Sequence, residues 1–460
     1  MEFHNFASLG EPERAIATYL DENVRRASVI EAHREFIGPM TPFLEIGANA
    51  GHTSYMLANQ FGGEGFALDI SADALRHGIA LMDRWGLTRA PIRVAGDAVN
   101  LPFRDNSLQF VMACQMLSQF MNVESVFIEV KRVLAPGGVF LFTEEPLRRK
   151  LSLRVYRAPY QERMKPWERK LFDWGLLGYL SQDVIGAEQE ESFGIRQNHK
   201  MYLSDWHAII TRHFAEYRYQ PFVPERGWGE RIVKRAAGNE WRAARLLGGT
   251  LAGMCKKAGA SRPLPALDQF ETLLRCPDCH RDLNRDSAGT LTCSCGYRAP
   301  NEGGVYNLLP AKLRAELYPG DRADVIDFSL PGHAERLGEG WYDIEGDFGN
   351  KFRWIGARAT ATLSRAHTTP QRLRIRGYAH QTQFTKGQPV VEIRANGLRV
   401  AQQTLERVGL FIIEADLPEA ETYEIEINAS PTWTAPDDDR VFSVNLSMIR
   451  LVDAGPAETN

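Results

Sequence analysis

No apolar run in the chain approaches the ~20 residues that a membrane-spanning helix needs, so no membrane span is expected. The opening stretch "MEFHNFASLGEPERAIATYL" is acidic and mixed, not the charged-then-apolar pattern of a secretory signal. Cysteine is scarce, with 6 in 460 residues. Without an export signal these are better read as thiolate ligands or buried thiols than as disulfides, and a cytoplasmic location is expected. Basic residues are not in excess either. The formal net charge is −4, which argues against non-specific nucleic-acid binding by the whole molecule while leaving room for a local basic patch. Hydrophobic content of 44% and charged content of 24% are ordinary for soluble globular protein, and the length accommodates about three domains.

The first informative stretch is "TPFLEIGANAGHTSYMLANQFGGEGFALDIS". A short apolar run, Pro42 to Ile46, ends in a glycine-rich turn. A helical pattern follows, then a second apolar run ending at Asp69. Strand, glycine turn, helix and acid-terminated strand open a Rossmann-like nucleotide fold. Gly47 and Gly51 let the backbone approach a ligand where a Cβ would clash. A carboxylate at the end of the second strand suits a ribose diol, because it accepts both hydroxyl hydrogens. The dinucleotide fingerprint G-x-G-x-x-G does not fit "GANAGHTS", where the spacing is Glu45-x-Gly47-x-Asn49-x-Gly51.

That spacing resembles the E/D-x-G-x-G-x-G loop of class I S-adenosylmethionine (SAM) methyltransferases, with Asn49 in place of the middle glycine. Asn tolerates left-handed backbone, so the departure is mild. Two later segments, "RVAGDAVNLPFRDNSLQFVMACQMLSQF" and "EVKRVLAPGGVFLFTEEP", resemble further motifs of the type-11 methyltransferase superfamily, in order and over roughly residues 40 to 146. The resemblance implies SAM as cofactor. It implies that Glu45, Gly47, Asn49 and Gly51 line the methionine and ribose portion and that Asp69 binds the ribose hydroxyls. Asp97 with the Ala98 amide would meet the adenine amine, and Gln115 would face the transferred methyl. Gln109 stands where many relatives carry Asp, at a position that supports the strand end. Singly, Asp69 and Asp97 read as turn caps; at the carboxyl ends of successive strands they read as a ligand site.

A polar insert, about residues 147–215, separates this region from the expected last strands, "FAEYRYQPFVP" and "LLGGTLAGMCKKAG", which would close the domain near residue 260. Its first part reads as an amphipathic lid helix. Arg148, Arg149, Lys150, Arg154 and Arg157 would alternatively suit an anionic acceptor. "YLSDWHAIITRHF" reads as a helix capped by Ser204, with Trp206, Ile209, Ile210 and Phe214 buried. The insert lies over the methyl group in this topology, so Glu191, His199 and His207 are the candidate general bases, beside the reading of lone histidines as surface or core residues. Cys255 reads as a buried thiol.

Next comes "LRCPDCHRDLNRDSAGTLTCSCGYRAPNEGGVYNLLP". Cys276 and Cys279, then thirteen residues, then Cys293 and Cys295 place four soft ligands at hairpin spacing. Two facing thiolate knuckles make a closed tetrahedral zinc site, structural rather than catalytic, with His280 as a substitute ligand. The segment resembles the zinc-ribbon family that includes the small activator of tRNA, rRNA and protein methyltransferases, with Glu302 where that pattern has Asp. A ribbon this small depends on its metal, and its expected role is to pack on the methyltransferase domain or a partner protein.

Beyond residue 335 the pattern turns to short strands. "PVVEIRANGLRVAQQTL" alternates around Asn396-Gly397, a two-residue hairpin signal. Several such strands suggest a β-sandwich. "GWYDIEGDFGNKFRWIGARATATL" and "APDDDRVFSVNLSMIRLV" resemble a sandwich found beside glycosyltransferases and methyltransferases of bacterial surface-polysaccharide pathways. Trp341, Trp354 and Trp433 are candidates for sugar stacking, beside the reading that bulky strand residues are core.

The expected architecture is therefore an α/β, Rossmann-like class I methyltransferase domain over residues 1–262, a zinc ribbon over 270–312 and an all-β sandwich over 335–455. The resemblances imply a SAM-dependent methyltransferase acting on a glycan, sugar or glycolipid precursor of a cell-surface polysaccharide, with structural zinc. An RNA methyltransferase and a non-catalytic scaffold in polysaccharide assembly are the rival readings. The expected partners are a small-molecule or glycan acceptor and a protein bound through ribbon or sandwich; nucleic acid is less favoured.

Overall fold

Apolar runs without polar alternation make the centre of the first half of the chain. β1 (Phe43–Ile46) and β4 (Leu108–Cys114) are buried along their whole length, and β2 (Gly65–Asp69) is buried up to its last residue. That is the pattern of parallel strands covered on both faces. A computed structural model of the chain describes residues 12–120, 122–148, 165–173, 190–192, 195–196, 201–222, 249–260, 264–265, 267–318, 320, 322–328, 330–346, 351–365, 371–435 and 438–453. The described residues divide into two units, the first ending at Arg314 and the second starting at Ala315.

In the first unit, β3 (Ile92–Ala95), β2, β1, β4 and β5 (Leu134–Leu147) run parallel and side by side in that order. Helices α1 (Pro12–Ala32) and α2 (Arg34–Ile37) precede β1, and α3 (His52–Asn59), α4 (Ala72–His77), α5 (Ala80–Trp85) and α6 (Val123–Val133) fill the connections. Chain order reverses between β1 and β4. In an open α/β sheet the carboxyl ends of the strands at such a switch point form the ligand crevice.

The insert supplies α7 (Pro166–Asp173) and a short pair, β6 (Glu190–Ser192) with β7 (Ile195–Arg196). α8 (Leu203–His213) then packs Trp206, Ile210 and the following Phe214 inward. Trp206 stacks on Phe142 of β5 with ring centroids 5.3 Å apart. The residue preceding this helix is Tyr202, not Ser204: the Tyr202 amide donates to Asp205 Oδ2 at 2.8 Å. The two closing strands lie within the two segments expected to form them. β8 (Glu216–Phe222) and β9 (Gly249–Lys256) join antiparallel beyond β5, in the order β5, β9, β8, and Cys255 is fully buried in β9.

The four-cysteine segment is built into the same unit. β10 (Asn284–Arg285), β11 (Leu291–Thr292) and β12 (Arg298–Ala299) form a small antiparallel sheet. β13 (Asn301–Glu302) and β14 (Val305–Asn307) then extend the main sheet, with β14 parallel to β3. Cys276, Leu291, Cys293, Tyr297 and Leu308 belong to the same buried cluster as Phe66, Phe103 and Leu108. The expected separate ribbon thus shares its core with the α/β sheet.

The second unit is all antiparallel. One sheet runs Trp341–Glu345, Phe352–Ile355, Val444–Asp453, Gln371–Ala379 and Gly409–Asp416, with Val325–Asp327 also paired to Val444–Asp453. The other runs Arg358–Ser364, Thr422–Ser430, Val390–Ala395 and Leu398–Thr404. Leu373, Ile375, Leu446 and Ile449 of the first share one core with Leu363, Ile393, Ile425 and Ile427 of the second. Asn396 and Gly397 turn the predicted hairpin with φ of 50° and 81°, the doubly left-handed pair that a two-residue turn requires. The three candidate tryptophans are committed to this unit. The indole N–H groups of Trp341 and Trp433 donate to the Thr360 and Ser443 carbonyls at 2.7 and 3.2 Å, and Trp354 donates to Glu345 Oε2 at 3.2 Å. Trp433 is stacked by His380 and packed against Phe442, each centroid 4.9 Å away.

Candidate functional site

The carboxyl ends of β1 to β4 carry an alternation of buried and accessible residues. Gly47 and Asn49 are partly accessible while Ile46, Ala48, Ala50 and Gly51 are buried. Asp69, Asp97 and Gln115 are likewise accessible beside buried Leu68, Gly96 and Cys114. Accessible positions at the end of each strand, on adjacent strands, outline a crevice at the switch point.

The glycine turn is shaped by what it touches. Gly47 has a φ of +69°, and a Cβ there would lie 2.5 Å from Met116 Cγ, so a side chain would strike the loop after β4. Asn49 adopts a φ of 50°, as its tolerance of left-handed backbone allows. Asp69 anchors this turn to β2: Oδ2 accepts the Asn49 amide and Oδ1 the Ser71 amide, each at 2.8 Å. Burial pushes its carboxyl up to about 6, against the pull of those two amides; the nearby Glu45 adds to the rise. Acceptor capacity remains on both oxygens for a donor from the crevice.

Glu45 plays a different part from the one its place in the motif implies. It is 1% exposed, and Oε2 accepts the Ser54 amide at 2.7 Å and the Ser54 hydroxyl at 2.5 Å. Its carboxylate therefore caps the first turn of α3 from below and does not face the crevice. Asp97 Oδ1 accepts the Val99 amide at 3.0 Å, a local turn bond; burial again raises this carboxyl. Ala98 is buried beside it. Gln115 is exposed with a φ of 51°, and its amide donates to the Thr143 carbonyl at 3.1 Å.

The loop bearing Gln115 is held by a residue the sequence reading passed over. Glu145, at the end of β5, is fully buried; Oε1 accepts the Met116 and Leu117 amides and Oε2 the Ser118 amide, all at 2.9 Å. Burial pushes this carboxyl up to about 7, while the three amides hold it down. Its neighbour Glu144 ties α1 to the same strand end. Arg26, only 4% exposed, donates to Glu144 Oε2 at 2.9 and 3.0 Å and to Thr53 Oγ1 at 2.7 Å. Its Nη1 also lies 2.7 Å from His52 Nε2, which is 2.8 Å from Glu22 Oε2. The pair of acids in "TEEP" was the one available signal for Glu144 and Glu145. Arg26, Glu22 and His52 belong to no motif and are joined only by the fold.

Of the three candidate bases, only His207 has its side chain among the described residues, and it is not at the crevice. His207 is exposed, its Nδ1 3.2 Å from the Tyr219 hydroxyl and its ring edge-on to Tyr217 and Tyr219. Those tyrosines lie on β8, the edge strand three places from β4, or about 14 Å at the usual strand spacing. His207 is thus a sheet-edge residue. Glu191 falls in β6, but its side chain and the whole of His199 lie outside the described residues. Of the basic stretch, Arg148 sits over the Tyr202 ring at 4.9 Å; Arg149, Lys150, Arg154 and Arg157 lie outside the described residues.

A second cluster is formed by Cys276, Cys279, Cys293 and Cys295, whose sulfurs all lie within 4.8 Å of one another. The Cys276–Cys295 and Cys279–Cys293 sulfurs are 3.7 and 3.4 Å apart. Four thiolates at the usual Zn–S distance of about 2.3 Å sit about 3.8 Å apart, so the set fits zinc. His280 is not part of the group.

Residues 44–142 match the methyltransferase domain family. This stretch is a methyltransferase domain. Similar proteins include norajmaline N-methyltransferase of Rauvolfia serpentina, 26% identical over 165 residues, which are 36% of this chain and 53% of that protein. Fatty-acid O-methyltransferase of Mycolicibacterium smegmatis is 32% identical over 151 residues, 32% of this chain and 47% of that protein. The chain spans about half the length of these curated relatives. Among solved structures, phosphoethanolamine N-methyltransferase 2 of Haemonchus contortus with SAM covers 52% of this chain and 53% of its own at 16% identity; its TM-score of 0.33 is too low to bear weight. In the methyltransferase domain, Glu145 fixes the loop beside the crevice, and Glu145→Ala leaves three amides without their acceptor. A loss of at least about 3 kcal/mol is expected, at ~1–3 kcal/mol for each donor left unpaired, read as a lower urea midpoint with unchanged slope.

Proposed function

We propose that the protein is a SAM-dependent methyltransferase whose cofactor lies across the carboxyl ends of β1 to β4. The observation that carries this reading is the row of accessible residues Gly47, Asn49, Asp69, Asp97 and Gln115 at successive strand ends. Asp69 accepts the ribose hydroxyls, for which its oxygens keep capacity beside the Asn49 and Ser71 amides. Gly47 admits the cofactor's backbone-hugging portion, Asp97 and Ala98 face the adenine, and Gln115 stands on the methyl side. Glu45 and Glu145 act one step back, fixing the loops that bear these groups. SAM supplies an electrophilic methyl on a sulfonium. The chain's part is to orient the acceptor in line and to exclude water.

The acceptor belongs, in this proposal, to the glycan or glycolipid precursors of cell-surface polysaccharides. Support comes from the resemblance of the C-terminal strands to sandwiches of those pathways and from their arrangement as two sheets on one core. The similar proteins bear names with different acceptors and different methylated atoms, so they favour no single class. Zinc, held by Cys276, Cys279, Cys293 and Cys295, is proposed as structural: with four thiolates it has no open position for substrate.

Asp69 must be ionised to accept two hydroxyl hydrogens. Its folded-state pKa of about 6 lies above the ordinary 3.8, so protonation competes with SAM as the pH falls through 6. SAM affinity is expected to be flat above about pH 7 and to fall towards tenfold per unit below about pH 6, with Asp69→Ala abolishing it throughout. Calorimetry showing affinity unchanged in Asp69→Ala, or rising from pH 7 to 5, contradicts the assignment. Metal analysis is expected to find about one zinc per chain, lost when Cys276 and Cys279 become Ser. Methyl-labelled SAM offered with total RNA and, separately, with the glycolipid and nucleotide-sugar pool tests the acceptor. Label in the glycan pool is expected; label in RNA replaces that proposal.

A further inference from the structure

The loop after β3 carries the adenine-side residues Asp97 and Ala98 and continues through Val99 to Arg104. Its far side is bonded to the four-cysteine segment. Asn100 Nδ2 donates to the carbonyl of Pro277, which lies between Cys276 and Cys279, at 2.8 Å. The Arg275 amide donates to the Pro102 carbonyl at 3.1 Å, and the Arg104 amide to the Leu273 carbonyl at 2.9 Å. Arg275 Nε reaches the Leu101 carbonyl at 3.3 Å, and its Nη2 reaches Asn100 Oδ1 at 3.4 Å and Glu129 Oε2 at 3.3 Å. β3 itself is paired along its outer edge by β14, and the Leu308 amide donates to the Ala95 carbonyl at 2.8 Å, one residue before Gly96. The other support comes from α6 on the opposite side, where Glu129 accepts the Leu101 amide at 2.8 Å and Arg132 donates to the Phe103 and Leu101 carbonyls.

Arg275 adjoins Cys276 in sequence, and the Pro277 carbonyl lies inside the first knuckle. Their positions are therefore set by the same turn that gathers the four sulfurs. Without the turn, Asn100 loses its acceptor, the Pro102 carbonyl its donor and the Leu101 carbonyl one of its two donors, so between Asn100 and Pro102 the loop keeps only the Glu129–Arg132 side. A loop held on one side samples conformations in which Asp97 and Ala98 no longer face the crevice, and a ligand binding only the ordered form weakens by that fraction.

We propose that the four-cysteine segment is a positioning element of the cofactor pocket: Arg275 and the Pro277 carbonyl, through Asn100, hold the Asp97–Arg104 loop in its binding geometry. This rests on the reading of the strand ends as a SAM site. The metal then acts on cofactor affinity, through the turn it ties, as well as on stability.

The test uses the full chain with its zinc, in the variants Asn100→Ala and Arg275→Ala. Affinities for SAM and for S-adenosylhomocysteine are measured by calorimetry, zinc content on the same samples, and amide hydrogen exchange over residues 96–104. Both ligands share the adenosine half that the loop faces. Both are expected to weaken by the same factor, about tenfold for the loss of one or two hydrogen bonds, with zinc unchanged and exchange over 96–104 faster than in the parent. A merely stabilising contact lowers the melting temperature and leaves both affinities at the parent's value well below it; that result overturns the proposal. Arg275 also neutralises Glu129, so if Arg275→Ala does not fold, Asn100→Ala decides alone. If the parent chain binds neither ligand, the cofactor reading fails. Exchange over 96–104 then judges the clamp separately: faster exchange in the variants supports it, and unchanged exchange overturns it.

Discussion

Backbone amides at the carboxyl end of the central sheet must find acceptors where the chain leaves the strands and no ladder continues. Three carboxylates meet that need from within the protein. Glu45 takes the first turn of α3, Asp69 the glycine turn and the start of the next connection, and Glu145 the three amides after Gln115. A carboxylate out of water loses hydration, and burial pushes all three carboxyls above the ordinary range. The amides compensate, because a charged acceptor makes stronger bonds than a neutral one. The result is a set of loops whose shapes are fixed before any ligand arrives, at the place where the strand order reverses.

Much of this was legible in the chain itself, because it depends on local chemistry. Glycine-rich turns between buried runs, an acid at a strand end and an Asn-Gly pair each have few structural solutions. The glycine turn, Asp69 and the 396–397 hairpin accordingly stand where the sequence placed them. What escaped has no local signature. Glu45 and Asp69 carry the same chemistry at neighbouring strand ends, yet one is turned to a helix and the other to the crevice; only the packing of α3 distinguishes them. Arg26 and Glu144, 118 positions apart, form a partly buried ion pair that no spacing announces. His207 sits on a helix whose buried face was read correctly, but its ring turns to the edge strand β8, a matter of sheet order and not of periodicity.

The four-cysteine segment shows how a module expected to be separate becomes part of a sheet. Its β14 needs a partner edge, and β3 offers one. Pairing there satisfies the amides and carbonyls of an otherwise open edge, and an uncovered edge invites association with other chains. Tyr306 and Leu308 then close over the aromatic cluster of Phe66, Phe103 and Phe270, so that one core serves both. The loop beneath that junction is the one bearing Asp97. Fold, four-cysteine cluster and the crevice proposed for the cofactor thereby meet in a single stretch of chain.

The central claim is that the strand ends of β1 to β4 receive SAM. A crystal structure of the full chain with S-adenosylhomocysteine tests it most directly. The account predicts the ribose hydroxyls on the Asp69 carboxylate, the adenine beside Asp97 and Ala98, and the sulfur on the Gln115 side of Gly47. The ligand bound elsewhere, or a crevice still empty at saturating ligand, would contradict it.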